Sequence, residues 1–157
     1  MNNKIKICIA DDNKELTKCM AECLNRNERI EVVKICDNGR DVLKTIDENE
    51  IDIIILDLIL PYIDGIGVLE KMSENNRENT PKVIIASAIA YDSLRLKLLE
   101  FGVSYYMLKP IDMEILTKRI IEIYESDFNR KKENIEQKVS ERLHELSIYP
   151  NLVGYKY

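Results

Sequence analysis

At 157 residues the chain has room for one ordinary domain and a short additional segment. Its 45% hydrophobic residues are enough for a core, and a net charge of −5 with a pI of about 5.1 disfavours non-specific binding to nucleic acid. No apolar run approaches the roughly 18 residues of a membrane span. The opening MNNKIKICIADDN places two carboxylates after one short apolar stretch, wrong for a signal peptide, so a cytoplasmic protein is expected.

Apolar runs alternate with amphipathic stretches as far as residue 125. Lys4 to Ala10 (KIKICIA) is the first predicted strand, and Leu16, Met20 and Leu24 then share one face of a helix. Ile30 to Cys36 (IEVVKIC) is a second, β-branched run, followed by an Asn38-Gly39 turn and a helix bearing Val42, Leu43 and Ile46. Ile51 to Leu56 (IDIIIL) is almost wholly apolar, as a central parallel strand covered on both faces should be. Val68, Leu69 and Met72 mark the helix after Asp64-Gly65. Lys82 to Ala86 (KVIIA) is the fourth strand. Leu94, Leu98 and Leu99 define a helix ending near Gly102, and Val103 to Leu108 is the fifth strand. Asp112 is placed to cap a last helix with Ile115, Leu116, Ile120 and Ile123 on one face.

Five strands alternating with five helices predict an α/β fold, a doubly wound (βα)5 parallel sheet with strand order 2-1-3-4-5. The expected organisation is a domain at 1–125, a polar linker or helix extension at 126–134, and at 135–157 the start of a second, unfinished domain. Ile135, Val139, Leu143 and Leu146 recur there at helical spacing. Cys8, Cys19, Cys23 and Cys36 form no CxxC pair, and His144, the one histidine, lies far from all four. They read as small buried hydrophobes, with a metal or redox role as the alternative, and His144 as plain surface.

Ligands of such sheets sit beyond the carboxyl ends of the strands. Asp11 and Asp12 follow the first strand and Asp57 ends the third, so three carboxylates converge on one pocket. Their mutual repulsion calls for a cation, and oxygen-only ligands suit Mg²⁺ or Mn²⁺. Ser87 ends the fourth strand with a hydroxyl donor, and Lys109 ends the fifth with a point positive charge. Together these groups suit transfer of a phosphoryl group to Asp57. Each one alone is an ordinary turn or cap residue; their joint placement at four strand ends carries the signal.

The stretches IADDN (9–13), ILDLILPYIDG (55–65), ASA (86–88) and YYMLKP (105–110) resemble the CheY-like receiver domain of two-component response regulators, over residues 4 to about 125. The resemblance implies phosphorylation of Asp57 by a histidine kinase or phosphotransfer protein. It implies Asp12, Asp57 and the backbone carbonyl of Ile59 as metal ligands, with Asp11 acting largely through water. Ser87 and Tyr106 would form the switch pair, Lys109 would bind phosphate, and the bond before Pro110 would be cis. Phosphorylation-dependent homodimerisation is the family expectation. Within the family, residues 4–16, 56–72 and 105–116 are similar to the sporulation transcription factors of spore-forming Firmicutes, and 141–157 resemble the opening of their DNA-binding domain. On that reading the chain stops before a recognition helix and binds no specific DNA by itself.

Ser87 stands where threonine is frequent, Leu60 where methionine is common, and residues 89–93 depart from the usual pattern. Ile59 and Ile89 flank the path of an attacking water and cannot orient it, so slow self-dephosphorylation is expected. A carboxylate-nucleophile phosphatase would need an acid at position 59, so the chain is not expected to be a turnover enzyme. The alternative is a pseudo-receiver used only for protein contacts.

Overall fold

Ile5–Ala10 has no polar side chain facing a neighbour on either side except Lys6, and in the computed structural model it forms β1, deep within a parallel sheet. The structure describes residues 3–75, 79–89 and 91–146. The remaining elements follow in strict alternation: α1 (Lys14–Asn25), β2 (Ile30–Cys36), α2 (Gly39–Glu48), β3 (Ile53–Leu56), α3 (Gly65–Glu74), β4 (Lys82–Ser87), α4 (Asp92–Glu100), β5 (Tyr105–Leu108) and α5 (Met113–Leu146). The strand order is β2-β1-β3-β4-β5, all pairs parallel, as predicted. The strand ends differ in detail. β3 and β5 start two residues later than their apolar runs, and β4 runs one residue further, to Ser87.

Among the described residues, four of the five helix starts are capped by a side chain, α4 being the exception. Asn13, Asn38 and Asp64 accept hydrogen bonds from the backbone of Leu16, Asp41 and Gly67 at 3.1, 2.8 and 2.7 Å. Asp112 Oδ1 accepts from Glu114 and Ile115 at 3.0 and 3.1 Å. Gly102 follows α4 with φ of 74°, the left-handed conformation that ends helices. β1, β3 and β4 supply the core, where Ile7, Ile9, Ile53, Ile54, Ile55, Ile84 and Ile85 are fully buried.

The chain divides into two compact units, Met1–Ile123 and Tyr124–Tyr157. In the second, the described residues to Leu146 are helical, so the expected linker at 126–134 takes the helix-extension alternative. Asp127 pairs there with Arg130 and Lys131, at 2.9 and 3.1 Å, which favours helix in water. Ile135, Val139, Leu143 and Leu146 are exposed, and residues 147–157 of the expected second domain lie outside the described residues.

The cysteines split. Cys8 and Cys36 are buried core residues as expected, whereas Cys23 is half-buried and Cys19 is exposed on the outer side of α1. The two buried sulfurs lie 3.9 Å apart. Their hydrogen bond, together with burial, pushes the Cys8 thiol above its ordinary range.

Candidate functional site

β1 and β3 are neighbours, so their carboxyl ends deliver Asp11 and Asp57 side by side. Asp57 N–H donates to the Ala10 carbonyl at 2.9 Å, and Asp11 N–H to the Cys36 carbonyl at 3.0 Å, which pins both residues at the sheet edge. Both are buried. One oxygen of each is held locally: Asp11 Oδ1 accepts from Asn13 N–H at 2.9 Å, and Asp57 Oδ1 from Ile59 N–H at 3.1 Å. The other oxygens share one partner. Lys109 Nζ donates to Asp11 Oδ2 at 2.6 Å and to Asp57 Oδ2 at 2.7 Å.

Lys109 reaches that point because its own N–H donates to the Ser87 carbonyl at 3.0 Å at the β4–β5 edge. The Lys109–Pro110 peptide bond is cis. Burial pulls the ammonium's pKa down, but the hydrogen bonds and charges of Asp11 and Asp57 outweigh it and hold the pKa above its ordinary value. Ser87 is fully buried, and its hydroxyl accepts a long 3.4 Å bond from Ile89 N–H. Ile59, whose N–H holds Asp57 Oδ1, is 53% exposed.

The loop from β3 to α3 is fitted closely beneath the acids. A Cβ on Gly65 would lie 2.6 Å from both the Asp57 carbonyl oxygen and Leu58 Cα, and one on Gly39 would strike the Ile63 carbonyl. Only glycine admits these approaches. Tyr62 in the same loop has φ of 67°, with the Arg40 guanidinium 4.7 Å from its ring centre.

Tyr106 lies on β5, its hydroxyl buried and without a hydrogen-bond partner among the described residues. The Arg95 guanidinium of α4 sits 5.4 Å from its ring centre, while Arg119 of α5 sits 5.1 Å from that of Tyr105. Burial raises the Tyr106 phenol above its ordinary pKa; Arg95 opposes this and the Asp57 charge adds to it. Arg95 is not singled out by sequence, because helical periodicity locates its apolar neighbours Leu94 and Leu98 and says nothing of an aromatic eleven residues on.

Asp12 is exposed, whereas Asp11 and Asp57 are buried. Among the described residues no group of three or more His, Cys, Asp or Glu side chains is gathered to hold a metal ion. Instead the Lys109 ammonium bridges the two buried carboxylates of Asp11 and Asp57. The donor set nonetheless fits a hard divalent ion. Every available donor is oxygen, and the two buried carboxylates against one ammonium leave a net negative charge in the pocket, with the exposed Asp12 next in sequence to Asp11.

A family model described as the response regulator receiver domain matches residues 7–121. Among solved structures, the receiver domain of Francisella response regulator 1452 is 27% identical with a TM-score of 0.71, covering 79% of this chain and 99% of that one. The beryllofluoride-activated DrrB receiver domain is 30% identical with a TM-score of 0.63, covering 76% and 98%. A CheX–CheY–BeF3–Mg²⁺ complex from Borrelia burgdorferi is 24% identical with a TM-score of 0.69, covering 78% and 90%. The fold, the matched span and the acid pocket agree: this chain belongs to the response regulator receiver domain family of two-component systems.

Proposed function

We propose that Asp57 is the phosphoacceptor of this receiver. The observation that carries the reading is the pair of contacts on its carboxylate, one oxygen fixed by Ile59 N–H and the other on the Lys109 ammonium shared with Asp11. A carboxylate held in one orientation in a buried pocket is ready for in-line attack on phosphorus. With a phosphohistidine donor, an Asp57 oxygen forms the new P–O bond, the P–N bond breaks, and the imidazole leaves with its electron pair. Lys109 then offers its charge to the phosphoryl oxygens in place of Asp57 Oδ2.

A divalent cation, Mg²⁺ or Mn²⁺, would be held by Asp11, Asp12, Asp57 and the backbone carbonyl of Ile59, and it supplies neutralisation of the negative charge spread over the transferring group. The Mg²⁺ and beryllofluoride named for the Borrelia complex support the same donor chemistry here. The donor protein is a histidine kinase or phosphotransfer protein. Ser87 would turn its hydroxyl to a phosphoryl oxygen and so give up its bond from Ile89, and Tyr106 would follow. The changed face promotes pairing of two copies and, on the sporulation-type resemblance of residues 4–16, 56–72 and 105–116, controls transcription.

Intact-mass measurement after acetyl phosphate or beryllofluoride with Mg²⁺ tests the reading. The wild type should gain one adduct, and Asp57→Ala none. An adduct that persists in Asp57→Ala, or none in the folded wild type, sinks it and leaves the pseudo-receiver.

A further inference from the structure

Cys8 on β1 and Cys36 at the end of β2 lie on one side of the sheet, in the same apolar cluster, with sulfurs 3.9 Å apart. Cys36 Sγ also lies 3.3 Å from the hydroxyl of Thr45 on α2. The pair is not in direct register: Cys8 stands opposite Lys34 and Cys36 opposite Ala10, after an irregularity between Ile7 and Cys8. Nothing in phosphoryl transfer uses either thiol. We propose that Cys8 and Cys36 are a redox-modification site, closing to an intramolecular disulfide with a small hydroperoxide as oxidant.

The chemistry balances. Attack of one thiol sulfur on the peroxide breaks the O–O bond, gives a sulfenic acid and releases one water from hydrogen peroxide, or an alcohol from an alkyl hydroperoxide. The second sulfur attacks the first, the S–O bond breaks, and the hydroxyl leaves as water. Two thiols lose two protons and two electrons, and the peroxide is reduced by those two electrons. A dithiol reductant reverses the reaction by exchange.

Burial selects the oxidant and the route. Cys8 and Cys36 are 0% and 2% exposed, so a bulky disulfide reagent is excluded while the fold is closed. β2 is an edge strand and Cys36 is its last residue, where local opening is easiest. The sulfurs must approach from 3.9 Å to the roughly 2.05 Å of an S–S bond. That draws together two strands that also position the pocket, since the Cys36 carbonyl holds the Asp11 N–H at 3.0 Å. Oxidation therefore displaces Asp11 from the ammonium that it shares with Asp57. This consequence rests on the phosphoacceptor reading, whereas bond formation does not.

The test uses the full chain with Cys19→Ser and Cys23→Ser, which removes the accessible thiols. After hydrogen peroxide, denaturation and alkylation, the expected product carries no alkyl group, has lost two hydrogens, and yields a Cys8–Cys36 linked peptide. Two alkylated cysteines, or a stable sulfinic acid in place of the link, would overturn the site. The oxidised protein should accept phosphate from acetyl phosphate about tenfold more slowly, with recovery on reduction. An unchanged rate would overturn the coupling to Asp11, and Cys36→Ala should be insensitive to peroxide in the same assay. If the reduced protein accepts no phosphate at all, the phosphoacceptor reading fails while peptide mapping still decides the disulfide.

Discussion

Lys109 and Asp57, 52 residues apart in sequence, are joined by a 2.7 Å ion pair through an ammonium that also reaches Asp11 at 2.6 Å. The lysine thus substitutes for a cation between two buried carboxylates that would otherwise repel each other. One ammonium against two carboxylates still leaves the pocket with uncompensated negative charge.

Divalent cation should therefore stabilise the fold in proportion to its binding. At a Mg²⁺ concentration ten times its dissociation constant the gain is about 1.4 kcal/mol, which for a domain of this size raises Tm by roughly 3–6 °C. Asp12→Asn should keep the fold, because the side chain is exposed, and lose most of that shift. Calorimetry with and without Mg²⁺ or EDTA checks this. An equal shift in both proteins would remove Asp12 from the cation site.

The Tyr106 hydroxyl is buried with no hydrogen-bond partner among the described residues, an arrangement that costs about 1 kcal/mol or more. Tyr106→Phe should raise stability by about that amount at neutral pH in urea denaturation. The difference should widen in alkali. The folded-state pKa of Tyr106 is raised, so its contribution is full below the unfolded value of about 10 and is lost as pH rises through the folded value. Phenylalanine has nothing to titrate there. A Phe variant less stable than wild type at pH 7 would show that the hydroxyl is satisfied.

Gly65 ties the β3–α3 loop to the phosphoacceptor. A methyl group there would lie 2.6 Å from the Asp57 carbonyl oxygen and from Leu58 Cα, both backbone atoms that must shift. Gly65→Ala should cost about 1–3 kcal/mol, seen as a lower denaturation midpoint at unchanged slope. It should also slow phosphorylation of the still-folded protein, because the shift is passed to Asp57. Gly67→Ala is the control: its Cβ would meet only side-chain atoms, Ile63 Cγ2 at 2.8 Å and Asp64 Oδ1 at 3.3 Å, and it should cost less.

The parts of this molecule legible in sequence are those where one residue type has one physical use. Runs such as Ile53–Leu56 can only be interior strand, and the acids and lysine at strand ends follow from parallel topology. Asp112 reads as a cap for the same reason. Segment 126–134 was ambiguous because its polarity suits both linker and solvated helix, and only the Asp127 pairs with Arg130 and Lys131 favour the latter. Cys19 shows the limit of composition, since a cysteine on a helix face is buried or exposed according to packing alone. The shared hold of Lys109 on both acids, and Arg95 over Tyr106, are side-chain geometries that no spacing encodes.

The persistence of the acyl phosphate should be set by two isoleucines. Hydrolysis needs a water aligned opposite the Asp57 oxygen, and a polar side chain beside that path would orient it and take its proton. Ile59 is exposed beside Asp57, whose Oδ1 its N–H holds, and Ile89 packs against the core, its N–H on the Ser87 hydroxyl. Neither side chain has a polar atom. Protein loaded with labelled phosphodonor should lose its label slowly, and loss within seconds would contradict the shielding. Ile89→Glu adds a carboxylate two residues beyond Ser87 and should accelerate the loss about tenfold or more. Ile89→Leu keeps the apolar volume and should not. If leucine and glutamate accelerate the loss equally, disturbed packing at the end of β4 would account for the effect, and the isoleucine would be acting by shape rather than by its lack of a base.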